Sequence, residues 1–183
     1  MVLAIHSDAS YLSKPKARSR TGGHHFLDTN DEHPKNNGAV LNISHIIKAV
    51  ISSAAEAELG ALFINSKLAV PVRMTHKEMG HPQPPTPIQT NNSTAHGVIT
   101  NKITPKAKKE MDMRFWWLHN RETQRQFIYY WRPGTLNWAD YWTKHHPSSH
   151  HVSMRREFLS SRRFLDVIKR ALARMRSPMA RVC

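Results

Sequence analysis

The sequence has a single cysteine, few acidic residues and no long apolar run. Because Cys183 is the last residue, an internal disulfide is excluded, which fits a reducing compartment. No stretch approaches the roughly 18 consecutive apolar residues of a membrane-spanning helix. The apolar start, residues 1–5, is too short for a signal peptide. These absences predict an intracellular protein with no membrane partner.

The scarcity of acids leaves a strongly basic chain. Its 27 Lys and Arg residues against 13 Asp and Glu residues give a net charge of +14 and a pI near 10.4. Such a charge predicts an acidic partner, and we prefer nucleic acid over the alternative of an anionic membrane surface. The 183 residues, of which 39% are apolar, suffice for one domain with its own core.

Apolar runs predict five strands, three of them early with short connections that indicate an antiparallel meander. The strands are residues 2–5, 24–27, 39–44, 88–90 and 126–131. Helical spacing predicts a helix over 54–73 or beyond, a short one after Asn92, one over 111–120 and a helical turn over 137–142 capped by Asn137. The expected fold class is α/β, a mixed sheet with helices covering its faces.

The long helix carries its own start signal. Ser53 and Glu56 form a capping-box pattern, with Ser53 at the N-cap and Glu56 three residues later. Pro71 lies inside the periodic segment and predicts a kink or a stop there, because proline lacks the N–H of a helical hydrogen bond.

Four polar side chains stand where the predicted elements begin or end. Asp8 ends the first strand, Glu58 lies in the first turns of the long helix, Asn91 follows the fourth strand, and Asp140 lies in the last turn. Since α/β proteins carry catalytic side chains at strand ends, we expect the four to meet at one edge of the sheet. Carboxylates suit Mg²⁺, and two such ions can hydrolyse a phosphodiester. The alternative for each acid is a cap or a solvated charge.

A series of motifs in this order resembles the RNase H domain of copia-type LTR retrotransposon Pol polyproteins, which are related to retroviral ones. The motifs are residues 6–11 (HSDASY), 16–23 (KARSRTGG), 52–62 (SSAAEAELGAL), 91–95 (NNSTA) and 137–144 (NWADYWTK). The resemblance covers roughly residues 3–147. It implies a ribonuclease H-like fold, a mixed five-stranded sheet flanked by helices.

The resemblance also implies a catalytic site. Asp8, Glu58 and Asp140 stand at three of the four metal-binding carboxylate positions of the family, and the implied ion is Mg²⁺, with Mn²⁺ as the alternative. Glu58 is chosen because it precedes a Leu-x-Ala run, whereas Glu56 is explained by capping. Asn91 stands at the fourth position, where the family has Asp. An amide brings no charge, so we expect impaired cleavage.

The function implied by the resemblance is two-metal hydrolysis of the RNA strand of RNA–DNA hybrids. The alternative is a decayed copy that keeps the fold and binds nucleic acid without cutting. The family context implies an upstream reverse transcriptase portion of the same polyprotein as a partner. The start of the chain on a core strand favours a fragment of something longer. The expected location is the cytoplasm, with a virus-like particle or the nucleus as alternatives.

Basic residues concentrate in two further places. The internal patch, which we expect to contact the backbone of the hybrid, is Lys102, Lys106, Lys108, Lys109 and Arg114. Residues 152–183 carry nine Lys or Arg against two acids, with apolar residues at helical spacing. This pattern predicts a helix that packs on the domain or contacts nucleic acid. We therefore divide the chain into an RNase H-like domain, 1–147, and a basic amphipathic extension, 148–183.

Tryptophans and histidines each allow two interpretations. The five tryptophans could stack on bases, but we expect most of them in the core, among them Trp116 and Trp131. One exposed tryptophan in contact with the substrate is the alternative. Residues 145–151 (HHPSSHH) could bind a transition metal. Pro147 and the lack of interleaved cysteines favour an exposed loop instead.

Overall fold

The computed structural model describes residues 1–100 and 109–159. The strands in this part of the chain are β1 Val2–Lys14, β2 Arg18–Asp28, β3 Ala39–Ile47, β4 Thr86–Thr90 and β5 Phe127–Trp131. The α-helices are α1 Ala54–Glu78, α2 Ser93–Ile99, α3 Lys109–Thr123, α4 Asp140–Thr143 and α5 Ser148–Leu159.

The strands form one sheet in the order β3-β2-β1-β4-β5. β1 pairs antiparallel with β2, and β2 pairs antiparallel with β3, so the predicted meander is confirmed. β4 pairs parallel with β1, and β5 pairs parallel with β4. The expected mixed five-stranded sheet flanked by helices is therefore confirmed.

The sheet has two faces of different chemistry, because successive side chains of a strand point to opposite sides. On the first, the apolar face, Leu3 and Ile88 are fully buried in the main hydrophobic core beneath α1, α2 and α3. On the second, the polar face, His6 and His24 are buried instead. Residues 134–143 and α5 cover this polar face.

Helix α1 begins as its capping box predicts. The Ser53 Oγ accepts a hydrogen bond from the Glu56 backbone N–H at 3.1 Å. The alternative of a stop at Pro71 is wrong, because α1 continues through this residue to Glu78. Proline removes one helical N–H, but the fully buried Ala69 holds this part of the helix on the core. Packing thus compensates for the missing hydrogen bond.

The expected loop at residues 145–151 is wrong in its second half, since α5 begins at Ser148. The His146 ring stacks on the Tyr141 ring with centroids 5.1 Å apart, and the Tyr141 hydroxyl lies 2.6 Å from the His151 Nδ1. Pro147 immediately precedes the helix, a place where its missing N–H costs nothing. A proline interpreted as a loop signal therefore marks a helix start.

The C-terminal extension lies only in part within the described residues. Phe158 on α5 is 9% exposed, and its ring packs against Tyr141, Trp142 and His24 of the polar face. Residues 160–183 lie outside the described part, so the predicted helix there and the division at residue 147 stay predictions. Within residues 1–100 and 109–159, no helix combines the length and apolarity needed to cross a membrane.

Candidate active site

Asp8 lies in β1 on the polar face and is 2% exposed. Its Oδ1 accepts a hydrogen bond from the Asn91 Nδ2 at 2.8 Å, and its Oδ2 accepts one from the Thr143 Oγ1 at 2.6 Å. Burial raises the pKa of Asp8 above its ordinary value, the Thr143 hydrogen bond opposes this, and the charge of Asp140 adds to it. The Asp8 carboxylate therefore joins the end of β4 to α4.

Glu58 projects from the first turns of α1 and is 5% exposed. Its Oε1 accepts a hydrogen bond from the Ala9 backbone N–H at 3.2 Å, while its buried Oε2 has no hydrogen-bond partner among the described residues. Burial raises the pKa of Glu58 well above its ordinary value, and the charges of Asp8 and Asp140 raise it further. The hydrogen bond from Ala9 thus places the Glu58 carboxyl at the backbone next to Asp8.

Asp140 is the first residue of α4, and its side chain is 28% exposed. Its Oδ1 forms an ion pair with the Lys144 Nζ one turn later. This contact raises the pKa of Lys144. The outermost acid of the site is therefore already paired with a cation from the chain itself.

Asn91 stands beside Asp8 at the end of β4, as the sequence motifs indicate. Its amide donates a hydrogen from Nδ2 to Asp8, so the side chain presents a donor to that carboxylate. The turn after β5 packs against this amide, since a Cβ added to Gly134 would lie 3.3 Å from the Asn91 Nδ2. The amide named from the sequence thus lies in the site itself, and the turn after β5 packs closely against it.

The segment that carries Asp140 is tied to β1 by hydrogen bonds. The Asn137 Nδ2 donates to the Ser7 carbonyl at 2.8 Å, and the Trp138 backbone N–H donates to the His6 Nδ1 at 3.0 Å. The Asn137 Oδ1 also accepts a hydrogen bond from the Ala139 backbone N–H at 3.1 Å, so Asn137 caps the turn as predicted, although the regular helix α4 begins only at Asp140. Asn137 therefore both caps the turn and docks the segment on the sheet.

Sequence reasoning missed three residues of the site, Gly22, Thr143 and Lys144. A Cβ at Gly22 of β2 would lie 2.5 Å from the Ala139 carbonyl oxygen and 2.7 Å from the Thr143 Cγ2, so only glycine lets α4 approach. The signal was present, since all three lie in motifs that carry the resemblance. Their roles depend on contacts that the motifs do not show.

The donor chemistry of Asp8, Glu58 and Asp140 suits a hard divalent cation, and the unpartnered Glu58 Oε2 is an atom that such an ion would satisfy. Among the described residues, however, no group of three or more His, Cys, Asp or Glu side chains is arranged to hold a metal ion. The Asp8 oxygens are bonded to Asn91 and Thr143, and Asp140 is paired with Lys144. These bonds occupy oxygens that an ion would need.

The predicted basic patch lies mostly outside the described residues. Lys102, Lys106 and Lys108 fall there, and Lys109 is the first residue of α3. The Arg114 guanidinium on α3 lies over the Phe63 ring of α1, 5.9 Å from its centroid. Contact of this patch with nucleic acid stays a prediction.

Two tryptophans are not where the sequence placed them. Trp116 is 60% exposed and Trp131 is 46% exposed, so the expectation that both lie in the core is wrong. Trp131 lies at the very end of β5, beyond the buried Tyr129. Its indole Nε1 donates to the Asn91 carbonyl at 3.0 Å. An exposed aromatic ring is therefore fixed beside the acidic site.

Comparison with known proteins supports the fold. The chain matches no protein-family profile and no curated protein. It is similar to LC11-RNase H1 in complex with an RNA/DNA hybrid, with a TM-score of 0.55, 14% identity and coverage of 76% of this chain and 91% of that chain. It is also similar to an N-terminal RNase H domain from Mycobacterium tuberculosis, fused to maltose-binding protein, with a TM-score of 0.52, 14% identity and coverage of 78% and 90%. The expected ribonuclease H-like fold is confirmed.

Proposed function

We propose that this domain, which has the ribonuclease H-like fold, hydrolyses the RNA strand of RNA–DNA hybrids with divalent metal ions held by Asp8, Glu58 and Asp140. The observation that carries the proposal is a chain of contacts, in which Glu58 accepts from the Ala9 N–H next to Asp8 and Asp8 accepts from Thr143 of the helix that begins at Asp140. The sequence motifs support the choice of Mg²⁺ or Mn²⁺ and a place beside a reverse transcriptase portion in a retrotransposon polyprotein. The hybrid bound by the similar LC11 enzyme supports the choice of substrate.

The residues of the site have separate tasks in this proposal. When bound, the metal ions supply an activated water and stabilise the leaving oxygen. Glu58 would offer its unpartnered Oε2, and Asp140 would leave Lys144 to complete the ligand set. Thr143 would keep the Asp8 carboxylate oriented through its hydroxyl.

Asn91 lowers the rate in this proposal. It contributes no charge, and its Nδ2 donates to the Asp8 oxygen that faces it. If the missing carboxylate costs as much as a broken buried charge pairing, roughly 3 to 5 kcal/mol, hydrolysis is slower by about two to four decades.

A second candidate function is binding of the hybrid without hydrolysis. The hydrogen bond from Asn91 to Asp8 and the ion pair from Lys144 to Asp140 favour it, because both satisfy the acids without a metal ion. The net charge of +14 would still attract the phosphate backbone. The domain would then bind the hybrid without cleaving it.

Cleavage of a labelled RNA–DNA hybrid by the native chain, Asn91→Asp and Asp8→Asn, each with Mg²⁺, tests the proposal. We expect Asn91→Asp to cut about 100-fold faster than the native chain or more, because it restores the fourth charge. We expect no cutting by Asp8→Asn, which keeps the size of the side chain and removes the central charge.

The binding of the three proteins to the same hybrid without divalent metal is the control. If the native chain and Asn91→Asp cut the hybrid at the same high rate, Asn91 does not impair hydrolysis. If Asp8→Asn cuts at the native rate, the assigned site is wrong. Intact binding with no cutting by any of the three would establish the second candidate.

A further inference from the structure

Trp131 differs from the other four tryptophans of the chain in its surroundings. Each of the others packs against an aromatic or cationic neighbour: Trp116 against Phe115, Trp117 against Phe63, Trp138 and Trp142 against Phe158. In the part of the chain that the structure describes, no aromatic ring or guanidinium packs on Trp131, and its side chain is 46% exposed. Nearly half of this side chain is thus open to solvent.

The open ring is nevertheless held in place. The indole N–H, which is the only polar group of the side chain, donates to the Asn91 carbonyl at 3.0 Å. The same Asn91 donates its Nδ2 to the Asp8 Oδ1 at 2.8 Å. Asn91 therefore links the indole ring to Asp8. Because the ring is already held in place, binding a ligand to it would cost little further conformational entropy.

The ring also suits a nucleotide. The net charge of +14 would hold the phosphates of a nucleic acid while the ring meets a base. Aromatic rings beside basic residues bind single-stranded nucleic acid by stacking on the bases. Bases inside a duplex are already stacked on their neighbours and are not free to do so. The open ring therefore suits an unpaired base.

We propose that Trp131 is a stacking site for an unpaired base beside the acidic site, so that the domain binds hybrids preferentially where paired and unpaired nucleotides meet. This inference rests on the proposed binding of an RNA–DNA hybrid at that site. It adds a preference for one feature of the substrate, which neither the acids nor the net charge would provide.

The test measures the affinity of the full chain for three fluorescent hybrids by anisotropy at one fixed salt concentration, without divalent metal. The first hybrid is blunt, the second ends in three unpaired uridines on the RNA strand, and the third ends in three abasic nucleotides. The abasic end has the same phosphates as the uridine end but no ring to stack.

We expect the native chain to bind the uridine end about ten-fold more tightly than the abasic end, which is the gain typical of one base stacked on an aromatic ring. Trp131→Ala should lose this preference and bind the blunt hybrid within about two-fold of the native chain. Trp131→Phe should keep most of the preference, because it retains a ring although it loses the indole hydrogen bond. Ile128→Ala, a control at a 51% exposed residue of the same strand, should match the native chain on all three hybrids.

The outcomes separate the two proposals. A native chain that binds and cuts hybrids but does not distinguish uridine from abasic ends would overturn the stacking site alone. An equal loss of affinity for all three hybrids in Trp131→Ala would also overturn the stacking site, since that pattern indicates a structural role. A native chain that binds none of the hybrids would overturn the proposed function together with the stacking site.

Discussion

The two faces of the sheet share the same strands but are covered in different ways. The apolar face packs against three helices, among them the 25-residue α1, and the polar face is covered by a segment that includes the four-residue α4. Two adjacent glycines of β2 mark the division. A Cβ at Gly23 would collide with Asn65 of α1, whereas one at Gly22 would collide with Ala139 beside α4.

The difference explains where the reactive groups lie. Burial of apolar side chains on the helix-covered face stabilises the fold, so the other face can bury polar groups at a cost. Asp8 and His6 on the polar face both have a pKa shifted by burial toward the neutral form, upward for Asp8 and down to about 3 for His6. Asp8 and Asp140 lie on the polar face, but buried polar groups are not confined to it, since burial also lowers the pKa of His25 beneath α1 to about 4.

The largest effect we expect is on the apolar face, from Asn65→Ala. The Asn65 Nδ2 donates to the Ser7 Oγ and the Gly22 carbonyl, both at 3.0 Å, and its Oδ1 accepts from the His25 Nε2 at 3.1 Å. Removing the amide leaves several buried groups unpaired, so the free energy of unfolding should fall by about 4 kcal/mol. Urea denaturation measures it.

Asn120→Ala is the matched control for that prediction, because Asn120 is an exposed amide on α3. It should change the free energy of unfolding by about 0.5 kcal/mol or less. If Asn65→Ala lowered the free energy of unfolding by no more than Asn120→Ala, the hydrogen bonds of Asn65 would not contribute to the stability of the apolar face.

The next effect in size is a loss of stability on acidification, through His25. Burial lowers its pKa from 6.5 to about 4. Between these two pH values the unfolded chain binds a proton that the folded chain does not, so the free energy of unfolding falls as the pH falls. The loss at this residue is about 3 kcal/mol in total, and it is complete below pH 4.

Urea denaturation of the native chain and His25→Gln at several pH values between 7 and 4 measures that loss. The variant should show a flatter dependence of stability on pH, whatever its stability at neutral pH. Parallel curves for the two proteins would mean that His25 does not contribute.

The smallest effect on stability that we expect comes from the polar face, with Gly22→Ala. The added Cβ would push α4 away from β2 and strain the bond from Thr143 to Asp8, at a cost of about 2 kcal/mol. If the domain hydrolyses the hybrid as proposed, its rate should fall by more than this loss of folded protein explains, because Asp140 moves with α4. Cleavage assays below the unfolding temperature, corrected for the folded fraction, measure it.

Gly60→Ala provides the matched control on α1. A Cβ there would lie 3.6 Å from the Ile47 Cδ1, an ordinary contact, so the variant should keep its activity and gain up to about 1 kcal/mol of stability. Unchanged hydrolysis by Gly22→Ala would show that the approach of α4 is not needed for the chemistry.

Several elements could be predicted from the sequence because their signals are local. The apolar run at residues 126–131 and the capping box at Ser53 and Glu56 place β5 and the start of α1 correctly. The proximity of Asp8, Glu58 and Asp140 was expected from the order of motifs. By contrast, the docking of Asn137 on β1 was not predicted and Trp131 was assigned to the core, because no local pattern shows which distant segment each of them meets.

The sequence by itself determined the strands, the basic charge and the identity of the acids, because periodicity, composition and motif order are properties of the chain. Only the tertiary structure decided how those acids are satisfied. Asn91 and Thr143 bind Asp8 across 83 and 135 residues of chain, and Gly22 leaves the space in which α4 can do so. Contacts over such separations depend on how helices and strands pack, which no local pattern records.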